Sequence, residues 1–118
     1  EDNKIIGEGW NRPISTSDPT AHAEIQAIRA AAVVKGNYRL PESTLYVTLE
    51  PCTMCAGAIF HARIQRIVFG AFDPRAGVAG SVMNLFEDDR INHHAQITGG
   101  VMAEDCAKLL RHFFKERR

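Results

Sequence analysis

Two short strings constrain this chain more than anything else in it: His22-Ala23-Glu24 and Pro51-Cys52-Thr53-Met54-Cys55. Each follows a loop or a strand and opens a stretch with helical periodicity. Thiolates at i and i+3 in a first helical turn face the same way. The positive end of the helix dipole favours the deprotonated form that a metal requires. Adding the imidazole of His22 makes three protein ligands and leaves a fourth tetrahedral position open. That arrangement marks a catalytic zinc site and not a closed structural one. The fold must therefore bring two separate helix starts together.

A zinc ion so held lowers the pKa of water towards roughly 7. A carboxylate beside it can accept that proton and pass it on, the role expected of Glu24. Positions i and i+2 point about 200° apart on an ideal helix, so His22 and Glu24 can share a site only off the helix entrance. The metal is then expected between that entrance and the second helix. A lone Cys-x-x-Cys could equally be a redox pair or half of a structural zinc site, and a lone His-x-Glu says little. Their combination at paired helix starts carries the inference. His61, late in its helix, is a rival ligand expected to be structural, and His93 and His94 are expected to be packing or surface residues. Cys106, in the helical stretch 103–110, reads as a buried small hydrophobe with no assigned role.

The 118 residues suit a single domain, 1–118. No apolar run reaches the roughly 20 residues of a spanning helix. The opening Glu1-Asp2-Asn3-Lys4 shows no signal peptide, so a cytoplasmic setting is expected. A formal net charge of zero excludes a globally basic nucleic-acid binder. Charge is uneven, however: the tail carries Lys108, Arg111, Lys115, Arg117 and Arg118 against Glu116. By itself that is a solvated helix end, favoured by the dipole.

Lys4 to Gly9 reads as a short strand and Trp10 to Pro19 as a loop. A helix is expected from about Ala21 to Val34, capped by Asp18 or Thr20 and stopped by Gly36-Asn37. Thr44 to Leu49 is a β-branched and aromatic strand. Pro51 suits a first helical position, opening a helix to about Ala62. Arg66 to Ala71 is the next strand, Phe72 to Asn92 a long irregular connection, and Gln96 to Thr98 a short last strand. Met102 to about Lys115 is amphipathic, with Ala103, Ala107, Leu110 and Phe114 on one face. The alternation says α/β, with helices covering a largely parallel sheet. Asp2-Asn3 resembles a hairpin turn without its first arm, so the chain is expected to begin inside a domain.

The paired signature resembles that of the cytidine-deaminase-like superfamily. Longer strings resemble its bacterial tRNA-specific adenosine deaminases: Ile6-Gly7-Glu8-Gly9-Trp10-Asn11-Arg12-Pro13, Asp18-Pro19-Thr20-Ala21-His22-Ala23-Glu24, Leu45-Tyr46-Val47-Thr48-Leu49-Glu50-Pro51-Cys52 and Ala79-Gly80-Ser81. The likeness continues through Asn92-His93 to Phe113-Phe114 and so covers nearly the whole chain. It implies a three-layer α/β/α fold with a mixed sheet, lacking the family's N-terminal helix and first strand. It implies one Zn2+ per chain on His22, Cys52 and Cys55, and hydrolysis of adenosine to inosine at the wobble position of a tRNA anticodon. Glu24 would protonate the ring nitrogen of a flipped-out adenine and assist departure of ammonia. Asn11, Ala23, Asp73 and Phe114 would contact the substrate: Asn11 the purine, Asp73 the RNA backbone, and Phe114 from the basic last helix. For Asn11 and Asp73 taken alone, turn chemistry is the plainer reading. Implied partners are the tRNA anticodon stem-loop and a second copy of the chain in a homodimer. A fragment, a split half or a separate segment supplying the absent strand is expected.

Competing readings keep the same metal core. One is a deaminase of a free base or nucleoside such as guanine or cytosine. Others are an engineered adenosine deaminase of single-stranded DNA, and a catalytically dead zinc or RNA-binding module. Glu24 argues against the last, because structure needs the three ligands but not that carboxylate.

Overall fold

The computed structural model describes residue 1 and residues 4–116, and the side chains of all of these but Pro13 and 113–116. In chain order the elements are α1 (Pro13–Thr16), α2 (Ala23–Lys35), β1 (Thr44–Leu49), α3 (Thr53–Ala62), β2 (Arg66–Ala71), β3 (Gln96–Thr98) and α4 (Ala103–Glu116). A turn of 3-10 helix, Leu85–Glu87, interrupts the connection from β2 to β3. The three strand boundaries match those expected from the sequence. The helix α2 stops where Gly36 takes a left-handed conformation, φ 63°, and its N–H returns to the last carbonyls.

Among the described residues the strands form one parallel sheet in the order β1-β2-β3, with Thr44 opposite Arg66 and Arg66 opposite Gln96. The expected mixed sheet does not form. Lys4 to Gly9, expected as a strand of that sheet, makes no ladder and is not a strand. That segment lies against α2 instead: a Cβ on Gly7 would stand 2.5 Å from Ala27 O, and one on Gly9 2.6 Å from Ala23 O. A groove of about 940 Å³ separates it from β1, too wide a gap for backbone hydrogen bonds across it. The outer edge of β1 is therefore open, and Tyr46 on it is exposed.

The core is built by Leu40, Ala56, Ile59, Ile64, Ile67, Phe69, Val78 and Phe86, with Ala31 of α2 at its margin. Successive residues of a strand point to opposite faces. Ile67 and Phe69 meet this core, while Gly70, next after Phe69, meets α4, where its missing side chain lets Cys106 Sγ approach. Helices thus lie on both sides of the sheet. Three of the four residues expected on the inner face of α4, Ala103, Ala107 and Leu110, are half-buried; the side chain of Phe114 lies outside the described ones. The four-residue α1 falls inside the stretch expected to be loop. No helix among the described residues is long and apolar enough to cross a membrane.

Candidate metal centre

Parallel strands order their C-terminal ends on one side of the sheet, and the residues leaving β1 turn there into the metal loop. Cys52 is not inside α3 but is its N-cap, extended at φ −85° and ψ 176°. Pro51, expected at the first helical position, consequently lies two residues before it, just ahead of the cap. Its carbonyl accepts the Val78 N–H at 2.9 Å, an acceptor already committed to the neighbouring loop. Cys55 follows in the first turn and is fully buried.

His22 is likewise the N-cap of α2, extended at φ −68° and ψ 156°. This removes the geometric difficulty posed by His22 and Glu24. The angle of 200° applies to two helical residues, and His22 is not one. Asp18 and Thr20, the expected caps, do another job. Asp18 Oδ1 accepts the Thr20 N–H at 2.9 Å and its hydroxyl at 2.7 Å, a closed local turn that delivers Ala21 and His22. Those bonds from Thr20 hold the Asp18 carboxyl below the usual carboxylate range. The first helical N–H, that of Ala23, is satisfied by Asn11 Oδ1 at 2.8 Å. Arg12 N–H to Ala21 O, also 2.8 Å, fastens the same two segments.

His22 Nδ1 lies 3.7 Å from Cys52 Sγ and 3.6 Å from Cys55 Sγ. The three donor atoms all lie within 4.8 Å of one another. Tetrahedral zinc, with bonds near 2.0–2.1 Å to nitrogen and 2.3 Å to sulfur, places such atoms about 3.6 Å apart. The donor set and its spacing fit zinc. Burial pushes the Cys55 thiol well up, and the neighbouring Glu24 carboxylate and Cys52 push it further. Binding of a cation must therefore release a proton here. Glu24 is buried in the first turn of α2, near enough to Cys55 for its carboxylate to raise that thiol. With Ala23 it also lines the end of the groove beside β1.

The remaining expected residues fall in different places. His61 and His94 are exposed, and His93 Nε2 lies 2.7 Å from Ile64 O. Among the described residues none of these joins the metal cluster. Cys106 is half-buried against Gly70. Asp73 folds onto its own loop, Oδ1 accepting the N–H groups of Arg75 at 3.0 Å and Ala76 at 3.3 Å. It sits beside the metal turn because of Glu50, which sequence reasoning passed over. Glu50 is 2% exposed at the end of β1, and its carboxylate accepts bonds from the loop 73–81. Burial would raise its pKa, but the bonds from the Ser81 hydroxyl and three backbone N–H groups outweigh this and hold it low. Its signal in the sequence was faint: an acid immediately after an otherwise apolar strand.

Residues 1–71 match the model of the cytidine and deoxycytidylate deaminase zinc-binding region. The chain is 60% identical over 97% of its length to a tRNA-specific adenosine deaminase of Haemophilus influenzae, of which it spans 66%. A Bacillus subtilis protein of the same name is 45% identical over 98% of the chain, which spans 71% of it. A solved structure from work on A-to-I editing by tRNA:A34 deaminases at the wobble position superposes with a TM-score of 0.88 and 42% identity. It covers 92% of this chain and 78% of its own. Metal ligands at two helix starts, a buried glutamate beside them and these likenesses converge: the chain belongs to the zinc-binding cytidine and deoxycytidylate deaminase family, among the tRNA-specific adenosine deaminases.

Proposed function

We propose that this chain converts adenosine to inosine at the wobble position of a tRNA anticodon, consuming water and releasing ammonia. The observation that carries the reading is Glu24, buried within reach of Cys55, next to a His22–Cys52–Cys55 donor set of zinc-like spacing. Zinc on those ligands supplies Lewis acidity and makes water a competent nucleophile near neutral pH. Glu24 takes the proton from the attacking water and delivers it to ring nitrogen N1 as the C6–O bond forms. It then takes the remaining proton from the new C6 hydroxyl and delivers it to the amine as the C6–N bond breaks. The water oxygen stays as the carbonyl of inosine, and the nitrogen leaves as ammonia.

Asn11 has its carbonyl oxygen engaged by Ala23, which leaves its NH2 group as a donor for the purine. Ala23, on the same turn as Glu24, supports one wall for the base. Asp73 spends Oδ1 on its own turn and offers Oδ2 to a ribose hydroxyl. Phe114, on the last helix, is assigned to the RNA on the strength of the resemblance, as are the homodimer, the cytoplasmic setting and a single deaminase domain over 1–118.

An assay of one labelled anticodon stem-loop against free adenosine, cytosine and guanine, all with zinc supplied, tests the reading. Inosine formed in the stem-loop alone is the expected result. Turnover of a free base in preference to the stem-loop would replace the substrate assignment and leave the metal chemistry standing.

A further inference from the structure

Glu50 is deeply buried and, among the described residues, forms no ion pair. It is satisfied by one loop. Oε1 accepts the Asp73 N–H at 3.0 Å and the Ser81 hydroxyl; Oε2 accepts the N–H groups of Ala79 at 2.8 Å and Ser81 at 3.1 Å. Gly77 lies flat on the carboxylate, where a Cβ would stand 2.3 Å from Cδ. Next along the chain, Pro51 O receives the Val78 N–H, and Cys52 follows. The two ends of the loop and the metal turn therefore share one carboxylate.

We propose that Glu50 is a positioning residue for the deamination site, fixing Asp73 beside the turn that carries Cys52. The inference rests on the proposed reading of the substrate but begins from the geometry of Glu50 alone. A buried carboxylate presents four lone-pair directions in a rigid plane, so donors from three loop residues are held at set angles. Asp73 is the outlying member. Ala79 and Ser81 are joined to Glu50 through Oε2, but Asp73 is tied only through Oε1, across the width of the loop. Its own Oδ1 closes the turn to Arg75 and Ala76, which leaves Oδ2 outside that turn on a backbone that Glu50 holds.

The two oxygens make the test selective. In Glu50→Gln, the new NH2 is best accommodated at the Oε1 position, where the Ser81 hydroxyl can rotate to accept from it. At the Oε2 position it would oppose two backbone donors. The amide therefore keeps Ala79 and Ser81 and releases Asp73. Ser81→Ala removes one bond from the same carboxylate and leaves Asp73 attached.

The experiment compares E50Q and S81A in the full chain by zinc content, amide hydrogen exchange and steady-state kinetics on an anticodon stem-loop. The expected result is zinc retained in both, with the Asp73 amide exchanging faster in E50Q only. KM for the stem-loop then rises about tenfold in E50Q, the effect of one lost hydrogen bond of ordinary strength, with kcat changed by less than about threefold. S81A keeps KM within about twofold. Equal KM changes in the two variants would reduce Glu50 to a fold-stabilising acid and overturn the proposal. Loss of zinc in E50Q, or Asp73 exchange unchanged by it, would overturn it too. A wild type inert on the stem-loop, with Asp73 exchange still accelerated in E50Q, would overturn the substrate reading and keep the anchoring.

Discussion

Asn11 Oδ1 accepts the N–H of Ala23 at 2.8 Å, so a residue of the first loop closes the open end of the helix that follows His22. The same side chain has two ends, and each can be tested separately. Asn11→Ala removes the acceptor and should cost about 1 kcal/mol of stability, the usual loss for such a helix-end bond. Asn11→Asp keeps an acceptor and removes the donor. It should melt with the wild type and lose most of kcat/KM on the stem-loop. Melting curves and kinetics on both variants check this; an N11D enzyme with full turnover would leave Asn11 as a cap only.

Glu24 sits where it can handle protons but holds none of the metal's three protein positions. Glu24→Gln should therefore bind one zinc per chain and lose about 10²–10⁴ in kcat, the span typical of a general acid–base group. Metal analysis alongside ammonia release separates the two effects. A variant that loses zinc and activity together would move Glu24 from proton transfer to support of the ligands.

The cluster should also contribute to folding. Zinc binds the assembled trio far better than the unfolded chain, where two separate segments must be gathered. At a free zinc concentration 100 times the dissociation constant, the folded state gains about 2.7 kcal/mol. A chelator should lower Tm accordingly, and added zinc should restore it. Replacing His93, which bonds to Ile64 O, should leave this zinc-dependent shift unchanged.

Gly70 is a point where α4 packs tightly onto the sheet. A Cβ there would lie 2.3 Å from Cys106 Sγ and 2.9 Å from Thr48 O. Gly70→Ala should cost about 1–3 kcal/mol, as overpacking does. Adding Cys106→Ala should recover only part of that, because the Thr48 carbonyl cannot move aside without disturbing β1. Denaturation midpoints of the two single variants and the double variant measure the coupling.

The strands were legible because runs such as Thr44-Leu45-Tyr46-Val47-Thr48-Leu49 are β-branched, aromatic and alternating, and they found partners. Lys4 to Gly9 offered only Ile5 and Ile6 before two glycines and, among the described residues, has no strand to pair with; a strand is a property of the pair. The metal ligands could be read from spacing, whereas the conformation of His22 could not: local propensity does not say that an imidazole will occupy a cap. The role of Glu50 was hard to read for a different reason. An acid after a strand is ordinarily solvated, and only the folding back of residues 73–81 makes it internal. Asp73 could be placed near the site by resemblance, but its Oδ1 obeys plain turn chemistry.

His22 and Cys52 both occupy N-cap positions, and neither side chain makes a capping hydrogen bond. A serine or aspartate in such a position is worth about 1 kcal/mol to its helix. Two helices here have given up that local stabiliser in favour of donors that point away from their own backbones. Their beginnings are consequently secured from outside: Asn11 serves one of them, and the ion gathered by His22, Cys52 and Cys55 clamps both. Each helix starts at the metal, so the ion that serves the chemistry is also the fastening from which two helices run.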